Sequence, residues 1–336
     1  HGPRPWRIDY VGEGGQDVGG LFNEALSAAV DELMDPTALP LFVRSQNAAN
    51  NSGSHRDCVV PAGHLLRDLH DASLRPSAAP QVAARSFQFL GILMGVSLRL
   101  QFPLPLRLPP LVWKLLLQRP VTLCDVATVD AATARGVASH AAQHGASAGR
   151  VLQQAENAQA GGPAASGTDK LPPGLDCVLA ASGEGCPALH VVSADGQRPS
   201  CIDEWVVAAL RAKVLEVAPA VAAIRDGLGL IVPLQALTLW SPAEFEAELC
   251  GQSSLDLELL QRNTRYEGFS PGSDAVQHLW GALGSMSPEE QALVLRFVWA
   301  RDRLPSSDAA FSQPFVVARF YRDEPDSSLP QAHSCS

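Results

Sequence analysis

Between Leu21 and Met34 the apolar positions Leu21, Phe22, Ala25, Leu26, Ala29, Val30 and Leu33 recur at three- and four-residue intervals. That spacing predicts a helix with one buried face, stopped by Pro36. A second long helix is predicted over Gln81–Leu100. It gives way to Pro103, Pro105, Pro109 and Pro110, which forbid regular helix and force an extended crossing, before Trp113-Lys114-Leu115-Leu116-Leu117 resumes a buried helix. Trp205–Ala218 and Val221–Arg225 read as two further helices. Ser241-Pro242-Ala243-Glu244 has the form of a helix start, with Ser at the cap, Pro at the first position and an acid three residues after the cap. That helix is expected to end at Cys250-Gly251, with the glycine as a left-handed cap. Ser287-Pro288-Glu289-Glu290 repeats the start signal, and apolar positions continue through Leu293, Leu295 and Val298. Strand signals are fewer. Trp6–Val11 alternates apolar and polar residues before the glycine-rich run from Gly12 to Gly20, and Phe315–Phe320 is an apolar strand candidate.

From Ala131 to Ala165 the chain is rich in Ala, Gly, Gln and Ser, and Gly161-Gly162-Pro163 breaks any helix there. The end of this stretch, near residues 155–170, reads as a low-complexity surface insertion. Gly251-Gln252-Ser253-Ser254 marks a lobe boundary, and no internal repeat emerges.

Composition narrows the function classes. With 46% apolar and 18% charged residues over 336 positions, the chain can build a large core and more than one lobe. A net charge of −10 argues against a nucleic-acid protein, which needs a basic face for phosphates, and suits a basic partner surface instead. The longest apolar run, Phe87–Leu98, is about half of the roughly 20 residues a membrane span needs. No secretory signal opens the chain. The seven cysteines, at 58, 124, 177, 186, 201, 250 and 335, are odd in number and scattered, which favours a reducing compartment. Cys177, Cys186, His190 and Cys201 have gaps that fit no short zinc knuckle, so no metal is expected. The glycine-rich run joins a strand to a helix, yet Asp17 stands where a dinucleotide fingerprint needs glycine and no Gly-Lys-Ser/Thr follows. A structural turn is the better reading.

Cys335 lies two residues from His333 in Leu329-Pro330-Gln331-Ala332-His333-Ser334-Cys335. From the residues alone two readings stand. A cysteine next to a chain end is usually inert, and nothing in the sequence shows the histidine side chain reaching the sulfur. Alternatively the pair is a nucleophile with a nearby proton carrier.

The segment resembles the Leu-Pro-x-Ala-x-Thr-Cys signature of HECT-type ubiquitin ligases, with Ser334 in the threonine position. Other blocks follow in order. The run from Gly12 to Gly20 with Glu24 is similar to the family's opening, and Phe89-Leu90-Gly91, Leu108-Pro109-Pro110 and Trp113-Lys114 to its next blocks. Ala223-Ile224-Arg225-Asp226-Gly227, Val232-Pro233 and Phe245–Leu249 with Cys250-Gly251 resemble the end of the larger lobe. Thr264-x-Tyr266, Trp280, and Arg296-Phe297-Val298-Trp299 with Arg303-Leu304-Pro305 resemble the smaller lobe, and this last block is most similar to the large HERC subgroup. The likeness thins between about Ala131 and Ser200.

The resemblance implies an α+β, bilobal HECT fold: a larger, mostly helical N-terminal lobe at 1–250, a hinge at 251–254 and a smaller α/β C-terminal lobe at 255–336. Within the larger lobe, about 128–212 corresponds to the subdomain that docks a ubiquitin-conjugating enzyme. Trp205 falls at an aromatic of that docking groove, with Val151 and Leu152 on an opposing helix, and core packing explains Trp205 equally well. The implied partners are a conjugating enzyme, ubiquitin and a protein substrate, with no cofactor, and the implied place of action is the cytoplasm or nucleus. Cys335 is the implied thioester nucleophile, with His333 as an assisting group. The hinge residues Gly251, Gln252 and Ser253 would let one cysteine face donor and acceptor in turn, so Gly251→Pro is expected to slow transfer. The chain stops one residue after Cys335, where family members continue, which fits a truncated domain or a non-catalytic docking module as the alternative. A Cys-His thiol hydrolase has only its two neighbouring residues behind it.

Overall fold

The helix signals at the start of the chain hold. In the computed structural model α1 spans Gly20–Met34, and the predicted face is buried at Phe22, Leu26, Val30 and Leu33. The structure describes residues 6, 8, 20–69, 78–143, 178–179, 189–190, 197–199, 202–251, 255–299, 303–305, 307–311, 314–319 and 330–331. The strand expected at Trp6–Val11, the glycine-rich run that follows it and the insertion near 155–170 lie outside these residues or almost wholly so.

After α1 come β1 (Phe42–Arg44), α2 (Gln46–Ala49), β2 (Val59–Pro61) and a 3-10 turn at Gly63–Leu69. Then follow α3 (Ala78–Leu100), α4 (Pro110–Leu116), α5 (Leu123–Ala127) and α6 (Ala131–Gln143). The two-residue strands β3 (Val178–Leu179) and β4 (Leu189–His190) precede α7 (Ile202–Gly229), and a 3-10 turn at Leu234–Leu239 leads to α8 (Pro242–Cys250). The last elements are α9 (Leu257–Arg262), β5 (Thr264–Glu267), α10 (Asp274–Ser285), α11 (Pro288–Trp299) and β6 (Phe315–Ala318). Among the described residues three small sheets result: β1 with β2 and β3 with β4 are antiparallel, and β5 with β6 is parallel. The content is mostly helical, as an α+β chain of this kind requires. No described helix is long and apolar enough to cross a membrane.

The chain falls into two compact units that do not follow chain order. One comprises His1–Asp31, Leu93–Leu106 and Glu244–Ser336; the other comprises Glu32–Ile92 and Arg107–Ala243. In the second unit α7 is the axis: α4, α5, α6, β2, β4 and the Gly63–Leu69 turn all pack against it. Two helices are predicted from sequence over this stretch, and one is found, running straight through Pro219. Proline in a helix interior costs about 3 kcal/mol through its missing N–H and its clash with the preceding turn. The face on either side offsets this. Val206, Leu210, Val217, Val221, Ile224 and Leu228 are each 5% exposed or less, and each buried aliphatic contributes about 1.5–3 kcal/mol.

Helices α3 and α7 meet backbone to backbone at two glycines. A Cβ on Gly227 would stand 2.7 Å from the Gln88 carbonyl carbon and 2.9 Å from its Cα; one on Gly91 would stand 2.7 Å from the Leu228 nitrogen. Backbone cannot swing aside as a side chain can. Gly227→Ala is therefore expected to destabilise by about 1–3 kcal/mol through overpacking, although alanine in a helix normally gains roughly 1 kcal/mol over glycine. Urea unfolding midpoints of the variant and the parent measure this, and a more stable variant would show that the crossing relaxes freely.

The first unit has its own small core of Leu260, Leu295, Leu304 and Phe315, flanked by Trp280, Val298, Trp299, Phe311 and Val317. The start of α11 is a reciprocal cap: Ser287 N–H donates to the Glu290 carboxylate at 2.8 Å and Glu290 N–H to the Ser287 hydroxyl at 3.3 Å. Its apolar positions divide. Leu295 faces the core, while Leu293, two residues earlier and so on another face, is 64% exposed.

Candidate functional site

Strands β5 and β6 form a parallel pair, registered Thr264 to Phe315 and Glu267 to Ala318. Phe315 N–H donates to the Asn263 carbonyl at 2.9 Å and Arg319 N–H to the Glu267 carbonyl at 2.8 Å, so the ladder extends past both ends. Aromatic rings lock the pair from one side. Trp299 meets Phe315 edge-on, centroids 5.3 Å apart at 89°, and Trp280 Nε1 donates to the Tyr266 hydroxyl at 2.9 Å. Asn263 ties the loop before β6 by donating its side-chain N–H both to the Leu259 carbonyl and to Asp308 Oδ1, at 2.9 and 2.7 Å. That hydrogen bond, together with Arg262, holds the Asp308 carboxyl below its ordinary range against a smaller opposing effect of desolvation. The chain leaves this frame at Arg319, and of the block ending in the candidate nucleophile Pro330 and Gln331 are exposed. Cys335 and His333 lie outside the described residues.

The residues read from sequence as a hinge begin at Gly251, whose backbone conformation favours glycine. Gly251 has φ +67°, and its N–H donates to the Ala247 carbonyl at 2.9 Å, closing α8 with the left-handed cap predicted from sequence. A Cβ there would run into the Leu304 carbonyl oxygen and stand 3.2 Å from Pro103. Gly251→Ala is expected to cost at least about 2 kcal/mol, combining left-handed strain with the backbone collision. Chemical unfolding measures it; a loss below half that value would mean that the Leu304 turn gives way. Proline at 251 is excluded for separate reasons: its φ is fixed near −65°, and it lacks the donated N–H. Gly251→Pro would break the cap before it tested any hinge. Gln252 and Ser253 lie outside the described residues.

Trp205 sits near the start of α7 and is 4% exposed. Its ring is thus part of a packed interior in this structure, and the sequence could not choose between packing and docking. Val151 and Leu152 lie outside the described residues. Among the described residues no group of three His, Cys, Asp or Glu side chains is arranged to hold a metal ion, and Cys177, Cys186 and Cys201 are not among them.

One polar cluster escaped the sequence reading. Lys213, on the apolar face of α7, places Nζ 2.9 Å from Asp130 Oδ2 and 3.4 Å from Glu216 Oε2, with the Lys213 and Asp130 side chains only 1% and 3% exposed. Asp130 stands just before α6 and accepts from Thr133 N–H at 2.9 Å and from the Thr133 hydroxyl at 2.7 Å. Burial pushes the Asp130 carboxyl up, but the Lys213 charge and these hydrogen bonds outweigh it and hold the group below its ordinary value. Next to it Asn47, itself 1% exposed, donates its side-chain N–H to the Ala127 carbonyl at 2.9 Å and accepts from Ala131 N–H at 2.8 Å. The signal was present in the sequence. Lys213 falls three after Leu210 and four before Val217, where an amphipathic helix wants an apolar residue.

Comparison with known proteins supports the family resemblance. The sequence model of the HECT-domain (ubiquitin-transferase) family matches residues 27–149 and 200–336 and passes over the stretch between them. E3 ubiquitin-protein ligase HERC2 of Homo sapiens is 30% identical over 335 residues, 99% of this chain but 6% of that protein, and the Mus musculus HERC2 shows the same figures. Probable E3 ubiquitin-protein ligase HECTD4 of Homo sapiens is 27% identical over 319 residues, 89% of this chain and 7% of that protein. The chain thus spans only a small part of the length of these relatives. A family model that matches most of the residues, joined to full-length similarity at 30% identity, shows that this chain belongs to the HECT-domain (ubiquitin-transferase) family.

Proposed function

We propose that this domain is a ubiquitin-protein ligase module that takes ubiquitin from a conjugating enzyme as a thioester on Cys335 and passes it to a substrate lysine. The observation that carries this reading is the family match, which continues through the last residue and so includes the block from Leu329 to Cys335. In the first step the Cys335 thiolate attacks the thioester carbonyl at the ubiquitin C-terminus. A new C–S bond forms, the old one breaks, and the conjugating enzyme's thiolate leaves. In the second step a lysine amine attacks the same carbonyl, Cys335 leaves as thiolate, and the ammonium loses its proton. The first exchange trades one thioester for another and needs little driving force, so positioning dominates. An ordinary cysteine, with a pKa of about 8.5, is a few per cent thiolate near neutrality, and modest activation suffices. His333 is the candidate to supply it. Gly251, Gln252 and Ser253 form the hinge in this reading, and Ser253→Pro, which spares the Gly251 cap, tests it by slowing transfer.

The direct test incubates the chain with activating enzyme, a panel of conjugating enzymes, ubiquitin and ATP. A ubiquitin adduct that thiol cleaves on gels supports the proposal. Binding of a conjugating enzyme without any adduct marks a docking module instead.

A further inference from the structure

We propose that the buried Lys213–Asp130 ion pair is a positioning element for the docking of a conjugating enzyme, because it locks α6 against α7, the two described helices of that region. This rests on the docking reading of about 128–212. The placement is what recommends it. Asp130 directly precedes α6 and caps it through Thr133, Lys213 reaches across from α7, and the two helices pack together. Behind them, Asn47 accepts from Ala131 N–H, and its own backbone N–H donates to the Val129 carbonyl at 3.0 Å. The chain is therefore pinned on both sides of Asp130, at the start of α6.

An ion pair is a poor choice if stability alone is at stake, because well-packed apolar residues of similar volume do as well or better. What it adds is direction. Apolar contact is nearly indifferent to a small slide or rotation of one helix over another, whereas an ammonium held to a hydrogen-bonded carboxylate is not. Leverage makes this matter: α6 has 13 residues, hence a length of roughly 20 Å, and a rotation of about 10° at its base moves its far end by roughly 3 Å. Misplacement of reacting groups by about 1 Å can cost on the order of 10²-fold in rate. The pair touches neither thioester. It acts through the orientation of α6 against α7.

The experiment compares the parent with Asp130→Asn, Lys213→Gln and Lys213→Arg, with Gly227→Ala as a destabilised control away from the pair. Two quantities are read per folded molecule: the Kd for a conjugating enzyme, and the single-turnover rate of ubiquitin transfer to Cys335 from that enzyme at saturation. Asp130→Asn and Lys213→Gln are expected to slow transfer at least about fivefold, the lower end of ordinary coupling between sites, with Kd within about twofold. Lys213→Arg restores most of the rate, and Gly227→Ala leaves the rate per folded molecule unchanged. Unchanged transfer in both neutral variants overturns the proposal, and so does an equal slowing in Gly227→Ala. If the parent neither binds nor accepts ubiquitin from any conjugating enzyme, the functional reading itself fails. Hydrogen exchange then judges the clamp. Faster exchange in both α6 and the first half of α7 of Asp130→Asn, with α10 and α11 unaffected, supports it, and unchanged exchange overturns it.

Discussion

Replacing Cys335 by alanine is expected to reduce the thiol-labile ubiquitin adduct to background with every conjugating enzyme, the largest effect of any single substitution on function. The reason is stoichiometric: in the proposed mechanism the acyl group rests on one sulfur between donor and lysine, and alanine offers no atom to bond. Serine sharpens the test. A hydroxyl is a far weaker nucleophile than a thiolate near neutral pH, so Cys335→Ser should load slowly, and the oxygen ester it forms should survive thiol treatment that cleaves the parent adduct. His333→Ala separates assistance from nucleophilicity, since it should slow loading while leaving the adduct thiol-labile. An adduct that persisted undiminished in Cys335→Ala would move the nucleophile to another cysteine. Among the described residues Cys124 is exposed, whereas Cys58 and Cys250 are buried.

Local signals in this chain were legible and non-local ones were not. The face of α1, the start of α8 at Pro242, the cap pair that opens α11 and the left-handed close at Gly251 all depend on residues within one or two turns, where spacing and capping chemistry decide. The parallel pairing of β5 with β6 joins residues far apart in sequence, and no short-range pattern encodes which strand a strand will meet. The stretches Trp205–Ala218 and Val221–Arg225 are one helix through Pro219, because the burial on both sides that offsets the proline is a property of the packed unit and not of the local sequence. The candidate site divides in the same way. Cys335 was legible only as part of a motif, since a lone cysteine beside a histidine carries little chemistry by itself. Trp205 read as core or groove with equal force, and only a packed structure gives its 4% exposure. Lys213 was passed over because lysine is assumed to reach water.

Lys213→Met is expected to destabilise the second unit by about 3–5 kcal/mol at neutral pH, the usual consequence of removing one partner from a buried ion pair. Methionine fills much the same volume, so the loss is electrostatic rather than a cavity: the Asp130 and Glu216 carboxylates would lose the ammonium that lies 2.9 and 3.4 Å from them. The pH dependence gives the prediction its sign. In the parent, the Asp130 carboxyl is held below its ordinary value, so its stabilising contribution is complete above the unfolded pKa and is lost as pH falls through the folded one. In Lys213→Met the same burial acts without the countering charge, and the folded pKa should rise above the unfolded one. The folded state then binds the proton more tightly than the unfolded state does, and stability falls as pH rises through that interval. The two proteins should therefore differ most near neutrality and converge as the pH is lowered toward the carboxylate range. Asp130→Asn in the Lys213→Met background should recover part of the loss at neutral pH, because it removes one of the buried charges left without a counter-charge. Urea titrations at a series of pH values measure all of this. A deficit that stayed constant with pH would mean that Lys213 contributes by packing alone.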